Sequence, residues 1–419
     1  MSLAIVGGRL IDGTGRDPVE DGVVVIVEGR IAAAGAASAV ALPTDATRID
    51  AGGGTILPGF VDCHLHCSYR ARDYGQHLKN PATYNVFRSA EILRRTLHCG
   101  ITTARDTGGA DAGFRQAVAE DIVAGPRLQV AIAMISQSGG HGDCFVPAGF
   151  HVPKRGWLPN NIADGVDGMR RVCREFLMRG ADFLKICTTG GVTSVTDDYD
   201  ETQFSLDEIR VAVAEAAAKG TYVAVHAEGR QGVKNALAGG IRSLEHGWFL
   251  DEECVDQMLS QGTWWVPTLA LVPEGAKHRR QDRAWAAQQL ADEDSKEARI
   301  MAGLERQIPL FKEAVRRGVK VAMGTDQSHR LLTGRNLIEL AYMVDYLGMT
   351  AMEAIVAGTA TAARFLGYPD LGTLEAGKIA DVVVYDGDPL DDIRGLAEAR
   401  RVRLVMKDGR VYKDTLQDT

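Results

Sequence analysis

The stretch AKGTYVAVHAEG, residues 218–229, carries the pattern on which the fold turns. A helical run, SLDEIRVAVAEAAAKG at 205–220, stops at Lys219 and Gly220, and an apolar, β-rich run follows at once. Gly220 suits the left-handed position just past a helix C-terminus, and Lys219 puts positive charge in the last turn, where the helix dipole favours it. Outward from there the unit recurs as HCGITTARDTGG (98–109), MRGADFLKICTTGG (178–191), AGGIRSLEHG (238–247), SQGTWWVPTLAL (260–271) and RRGVKVAMGTD (316–326). Helix starts are legible too: Ser205 with Glu208 and Thr350 with Glu353 have capping-box spacing.

Strands alternating with helices imply parallel pairing. The spacing predicts eight strands: GFVDCHLH, GITTARD, LQVAIAMIS, ADFLKIC, YVAVHAE, RSLEHG, TWWVPTLAL and VKVAMGTD. The expected class is therefore α/β, a (β/α)8 TIM barrel, which typically takes about 250 residues; a doubly wound sheet is the alternative. The chain ends read differently. LAIVGGRLIDGTG, VVVIVEGRIAAAG, ADVVVYDGDP and RLVMKDGRVYKD are strands broken by Gly-containing turns, with Asp408-Gly409 a hairpin signal. Neither end has enough strands to stand alone. Both are expected in one small β-sandwich domain, built from 1–57 and 369–419, beside a barrel at 58–368. The Gly- and Pro-rich 138–165 follows the third strand as a candidate lid, and the charge-rich 273–318 reads as a solvated helical face or oligomer contact.

Composition narrows the class. The 419 residues are 45% hydrophobic and 24% charged, as in an average globular chain, so disorder is excluded. A net charge of -8, spread along the chain, argues against a nucleic-acid or anionic-membrane partner. Neither a leader-like start nor a long apolar run is legible, and seven irregularly spaced cysteines fit reduced thiols, so a cytoplasmic protein is expected. The expected partners are a small-molecule substrate and further copies of the chain in a homo-oligomer.

GFVDCHLHCSYR (59–70) holds two histidines and two cysteines in five residues. Side chains alternate faces along a strand, so Asp62, His64 and His66 share one face and Cys63, Leu65 and Cys67 the other. Two histidines at i, i+2 can reach one metal; a mixed Cys/His set cannot from a regular strand. Lys185, His226, His246 and Asp326 also lie at or near strand ends, just before glycine or polar residues. Residues so placed converge on the face where such barrels hold their active sites. Together they form a set of N and O donors suited to Zn²⁺.

With these residues assembled, the chain resembles the amidohydrolase superfamily. Gly59-Phe60-Val61-Asp62 with His64 and His66 is similar to its first-strand signature, and Lys185, His226, His246 and Asp326 match its remaining ligand positions in order. TARDTGG (103–109) and LEAGKIADVVVYDGDP (374–389) are also similar to family segments. The likeness is greatest to the branch of Xaa-Pro dipeptidases, Xaa-Arg/Lys dipeptidases and ochratoxin-type amidases. The resemblance implies two divalent metal ions, with zinc favoured by ligand type, bridged by Lys185 carboxylated from CO2. It implies one ion on His64, His66 and Asp326, another on His226 and His246, a bridging hydroxide as nucleophile, and Asp326 as proton carrier. His141 resembles the family histidine that contacts the substrate's carbonyl oxygen.

The expected reaction is hydrolysis of an amide or peptide bond in a dipeptide (Xaa-Pro, Xaa-Arg/Lys or Xaa-hydrophobic) or an N-acyl amino acid. The alternatives are a cyclic amide, carbamate or urea-like substrate, or mononuclear deamination. A non-catalytic scaffold should lack ligands, and none is missing. Where the dipeptidase branch often has a carboxylate-holding tyrosine, this chain has Glu228. That departure counts against simple dipeptide recognition and favours a cationic or neutral leaving group. Glu228 and Arg230 are candidate substrate contacts, and Lys154, Arg155 and Arg330 could also anchor a carboxylate. His77, His98, His151, His278 and His329 are expected to be structural or surface residues.

Overall fold

The computed structural model describes residues 2–68, 79–146, 148–152, 157–192, 197–281, 296–328 and 331–417. His77, Lys154, Arg155, His329 and Arg330 lie outside the described residues.

The strand-helix alternation produces parallel strands. Phe60–Leu65, Ile101–Asp106 and Arg127–Val130 form one parallel sheet. Met134–Ile135, Leu184–Cys187, Val223–Ala227, Ser243–His246, Trp264–Val266 and Lys320–Val321 form a second. Hydrogen bonds link the two sheets at both edges. On one side the expected third strand is split at Ile132 (φ 70°), with its first half bonded forward by Asp182 N to Val130 O at 2.9 Å. On the other, Cys63 N donates to Met323 O at 2.9 Å and Asp326 N to His64 O at 2.7 Å. This is an α/β arrangement with polar residues at the C-terminal ends of its strands.

Two expected strands are shorter than their sequence runs. TWWVPTLAL pairs only over Trp264–Val266, because Pro267 has no N–H to donate and Thr268 turns at φ 49°. VKVAMGTD pairs as a strand only over Lys320–Val321, though the following backbone bonds to both neighbours through Ala322 N to Trp265 O (3.0 Å) and the Cys63 and Asp326 bonds above. The local signals hold more closely. Gly220 sits at φ 70° and Gly262 at φ 68°, and both capping boxes form, Ser205 with Glu208 and Thr350 with Glu353. The helix Gly165–Met178 buries Met169, Val172, Cys173 and Phe176, the one-sided spacing that docks a helix on a sheet.

Strands from the two chain ends form one eight-stranded sheet: Arg410–Asp414, Val402–Lys407, Val382–Tyr385, Thr55–Pro58, Ser2–Leu10, Val19–Val27 and Arg30–Ala36 in order, with Thr47–Asp50 beside Ser2–Leu10. Asp408 (φ 52°) and Gly409 (φ 74°) make the expected hairpin turn. The sheet touches the parallel strands at their starts: Gly59 N donates to Asp381 O at 2.9 Å, and Arg127 Nη1 lies 3.1 Å from Asp381. The opposite, C-terminal strand ends are thereby left for chemistry. Within 138–165, Phe145–Val146 pairs with Phe150–His151 as a short hairpin, and Leu271–Gln281 and Lys296–Arg316 are helical within 273–318. Among the described residues no helix is long and apolar enough to cross a membrane.

Candidate metal centre

His64 and His66 come from the end of Phe60–Leu65, His226 from Val223–Ala227, His246 from Ser243–His246, and Asp326 from the turn after Lys320–Val321. Their rings form a continuous array. His66 to His64 is 5.7 Å between centroids, His64 to His246 5.0 Å, His246 to His226 4.6 Å, and His226 to a stacked His141 4.2 Å. Among the described residues, His64, His66 and Asp326 are a group whose ligand atoms lie within 4.8 Å of one another and could hold a metal ion. Asp326 Oδ1 is 3.1 Å from His66 Nε2 and 3.7 Å from His64 Nε2. Both His246 (φ 67°) and Asp326 (φ 55°) occupy the left-handed region, a strain that clusters at functional sites.

Each ring has one nitrogen tied to the fold. His64 Nδ1 meets Glu245 Oε2 at 2.8 Å, His66 Nδ1 meets Gly108 O at 2.7 Å, His246 Nδ1 meets Thr268 Oγ1 at 2.7 Å, and His226 Nε2 meets Gly190 O at 3.0 Å. The nitrogens left for a metal are Nε2 of His64, His66 and His246, and Nδ1 of His226. Burial, reinforced by positive neighbours including Lys185, holds His64, His226 and His246 well below the ordinary histidine value. They are thus neutral near pH 7, the form that ligates.

Lys185 lies wholly buried on Leu184–Cys187, and its Nζ has no hydrogen-bond partner. Beneath it on the same face is Phe183, packed with Ala131 and Ala224. Burial brings the Lys185 amine down to about 8. An orphaned buried amine is costly, and such a site fits a group that adds oxygens at Nζ and engages metal ions.

Carboxylates that the sequence reading missed stand behind these ligands. Glu245 also accepts from Arg105 Nη2, at 2.7 and 2.8 Å, and both residues are fully buried. Asp106 accepts from Cys67 N at 2.8 Å and Gly108 N at 2.9 Å, fixing the carbonyl that binds His66. Asp62 does not join the ligand group; it accepts from Thr325 Oγ1 at 2.7 Å and Asn336 Nδ2 at 2.9 Å, and so braces the turn that carries Asp326. Glu339 accepts from Leu269 N and Ala270 N at 2.7 and 2.8 Å. Burial raises Asp62 to about 6 and Glu339 to about 8. The hint available in sequence was charge inside apolar strands, as in TARD and SLEH; Glu339, on a helix, carried no such sign.

The cysteines turn away, as alternation requires. Cys63 packs with Val61, Val266, Ala322 and Phe365, and burial pushes its thiol well above the ordinary value. Cys67 belongs to the main core. A Cys63→Ala, Cys67→Ala double variant is expected to keep its full metal content by elemental analysis, whereas His64→Ala loses at least one ion. Loss of metal from a folded cysteine variant would overturn the strand assignment.

His141 Nδ1 lies 3.7 Å from Asp197 Oδ2. Glu228 is buried, with Oε2 accepting from Val192 N at 3.1 Å and Oε1 3.8 Å from His226 Nε2. Arg230 is more than half exposed and pairs with Asp251 at 3.6 Å, so its described contact is at the surface. His98 is half-buried; His151, 3.2 Å from Asp143, and His278 are exposed.

Residues 55–412 match the Amidohydrolase family. The chain belongs to the amidohydrolase family. This amidohydrolase is 32% identical to the ochratoxinase of Aspergillus niger, over 98% of this chain and 86% of that protein. It is 33% identical to a prolidase whose crystal structure holds N-methylphosphonate-L-proline, covering 99% of this chain and 100% of that one, with a TM-score of 0.85. A Xaa-Pro dipeptidase structure with methionine bound in the active site is 29% identical, covers 99% and 100% of the chains, and gives a TM-score of 0.83. The protein is accordingly a hydrolase acting on C–N bonds.

Proposed function

We propose that this amidohydrolase uses two divalent metal ions, zinc by ligand type, to cleave an amide or peptide bond in a dipeptide or N-acyl amino acid. The observation that carries the reading is the array of four buried histidines, each with one nitrogen tied to the fold, beside the partnerless Lys185 amine. His64, His66 and Asp326 would hold one ion, His226 and His246 the other, and Lys185, carboxylated by CO2, would bridge them. Bound ions of this kind supply a water acidified to near neutrality and polarise the scissile carbonyl. Asp326 would take the proton of the attacking water on its carboxylate and hand it to the leaving amine. In the metal-free chain with Lys185 as a free amine, burial pushes Asp326 up, but His64, His66 and Lys185 outweigh it and hold the group below the ordinary carboxylate value.

His141 would steady the substrate oxygen, and Glu228 a cationic or neutral leaving group; Arg230 is the weaker candidate contact because of its surface pairing. Space for His141 depends on Gly191, where an added Cβ would lie 2.2 Å from His141 Cε1. Gly191→Ala is expected to lower kcat by about 10²-fold, the scale for losing one oxygen-stabilising donor, with metal content unchanged. Wild-type kcat in that variant would remove His141 from the proposal.

We also read the strands as a closed (β/α)8 barrel at 58–368 and the eight-stranded end sheet as a small β-sandwich domain from 1–57 and 369–419. The hydrogen bonds joining both edges of the two parallel sheets support this. Seven cysteines, none in a disulfide among the described residues, support a reducing, cytoplasmic setting, and we propose a small-molecule substrate with homo-oligomeric assembly.

Metal analysis with a screen of Xaa-Pro, Xaa-Arg and Xaa-hydrophobic dipeptides and N-acyl amino acids tests the reading. Two ions per chain and hydrolysis in one library are expected. A single ion would favour the mononuclear alternative, for which the His64, His66, Asp326 group alone suffices. No hydrolysis would move the substrate to a cyclic amide, carbamate or urea-like compound.

A further inference from the structure

Thr268 occupies φ 49°, an unusual conformation for a β-branched residue, immediately after Pro267. The two N–H groups that follow it, Leu269 and Ala270, both donate to the carboxylate of Glu339, at 2.7 and 2.8 Å. Glu339 is fully buried near the start of the helix Ile338–Leu347, 70 residues from Leu269 in sequence. One side chain thus fixes the strained turn from outside.

That turn decides the state of a candidate ligand. A threonine hydroxyl has a single proton to give. Thr268 Oγ1 donates to Pro267 O at 2.8 Å, so towards His246 Nδ1, 2.7 Å away, it can only accept. With the hydroxyl proton so committed, the neutral ring is expected to carry its proton on Nδ1 and leave the lone pair on Nε2. Were the turn to relax, the hydroxyl would move off the ring and the tautomer would no longer be imposed.

We propose that Glu339 is a positioning residue for His246: by clamping the Thr268 turn it fixes the His246 tautomer and sets the affinity of the ion held with His226. The metal half of this rests on the two-ion reading above; the tautomer half does not. A plain structural role would have Glu339 only cap the helix Leu271–Gln281, which Leu269 and Ala270 precede. The two roles differ in what they move.

The test compares Glu339→Gln, which keeps the shape but replaces one acceptor with an amide donor, with Thr268→Val, which removes the hydroxyl, and Thr268→Ser, which keeps it. In metal-free protein, nitrogen-15 NMR of the histidine rings is expected to show His246 protonated on Nδ1 in the wild type and Thr268→Ser, and a mixed or inverted tautomer in the other two. Chelator competition with zinc is expected to show one of two ions weakened by about 10- to 100-fold in Glu339→Gln and in Thr268→Val, with no further loss in the double variant. An unchanged tautomer and unchanged zinc affinities in Glu339→Gln, with only a lower melting temperature, would reduce Glu339 to a helix cap and overturn the proposal. If Glu339→Gln fails to fold, Thr268→Val decides: an unperturbed His246 ring there overturns it equally. A wild type that binds a single ion defeats the two-ion reading, and the ring tautomers then judge Glu339 alone.

Discussion

A Lys185→Met variant is expected to lose turnover by about 10³-fold while its metal-free form unfolds at the same or a higher temperature. Both halves follow from one observation, the fully buried Nζ with no hydrogen-bond partner. On the proposed two-ion reading, removing Lys185 would cost the centre a share of the carbonyl polarisation and water activation that bound ions contribute, several kcal/mol, and about 1.4 kcal/mol is tenfold in rate. For the metal-free fold, a partnerless amine whose affinity for protons burial has already brought down to about 8 is a liability. Methionine fills similar volume without a polar atom. Elemental analysis, steady-state kinetics and calorimetry on the two proteins check the result. Two ions per chain and undiminished kcat in the variant would eliminate Lys185 as the bridge.

Asp326→Asn should give the other large effect, a fall in kcat of about 10²- to 10⁴-fold with metal mostly retained, the range general acid-base catalysis contributes. The amide oxygen can still face His64 and His66 as Oδ1 does now, at 3.7 and 3.1 Å, but it cannot accept the proton. Nor should the backbone object, because asparagine tolerates the left-handed region in which Asp326 sits at φ 55°. Asp62 still holds the turn through Thr325 N at 3.1 Å and Thr325 Oγ1. Wild-type turnover in this variant would require another proton carrier, and loss of all metal would make Asp326 a ligand only.

Much of the candidate centre is legible in the sequence. Period-two alternation put His64 and His66 together and sent Cys63 into a cluster with Val266 and Phe365. Polar residues before glycines marked His226, His246 and Asp326 as strand ends. Less legible were the breaks: Ile132 and Thr268 turn at positive φ inside runs that look continuously β, since a β-branched residue gives no local warning that its backbone will be forced over. The role of Asp62 was also hidden. It shares a strand face with His64 and His66, and nothing in the pattern showed that its carboxylate is taken up by Thr325 and Asn336.

The sequence by itself determined what is local: where helices stop, because glycine alone takes the left-handed cap without strain, which residues share a strand face, and which side chains can donate to a metal at all. Only the tertiary structure decided which nitrogen of each histidine is free. That choice is made by partners far along the chain, Glu245 for His64 across 181 residues and Thr268 for His246 across 22, the latter clamped in turn by Glu339. Hydrogen bonds select by distance and direction in space, and a linear pattern carries neither.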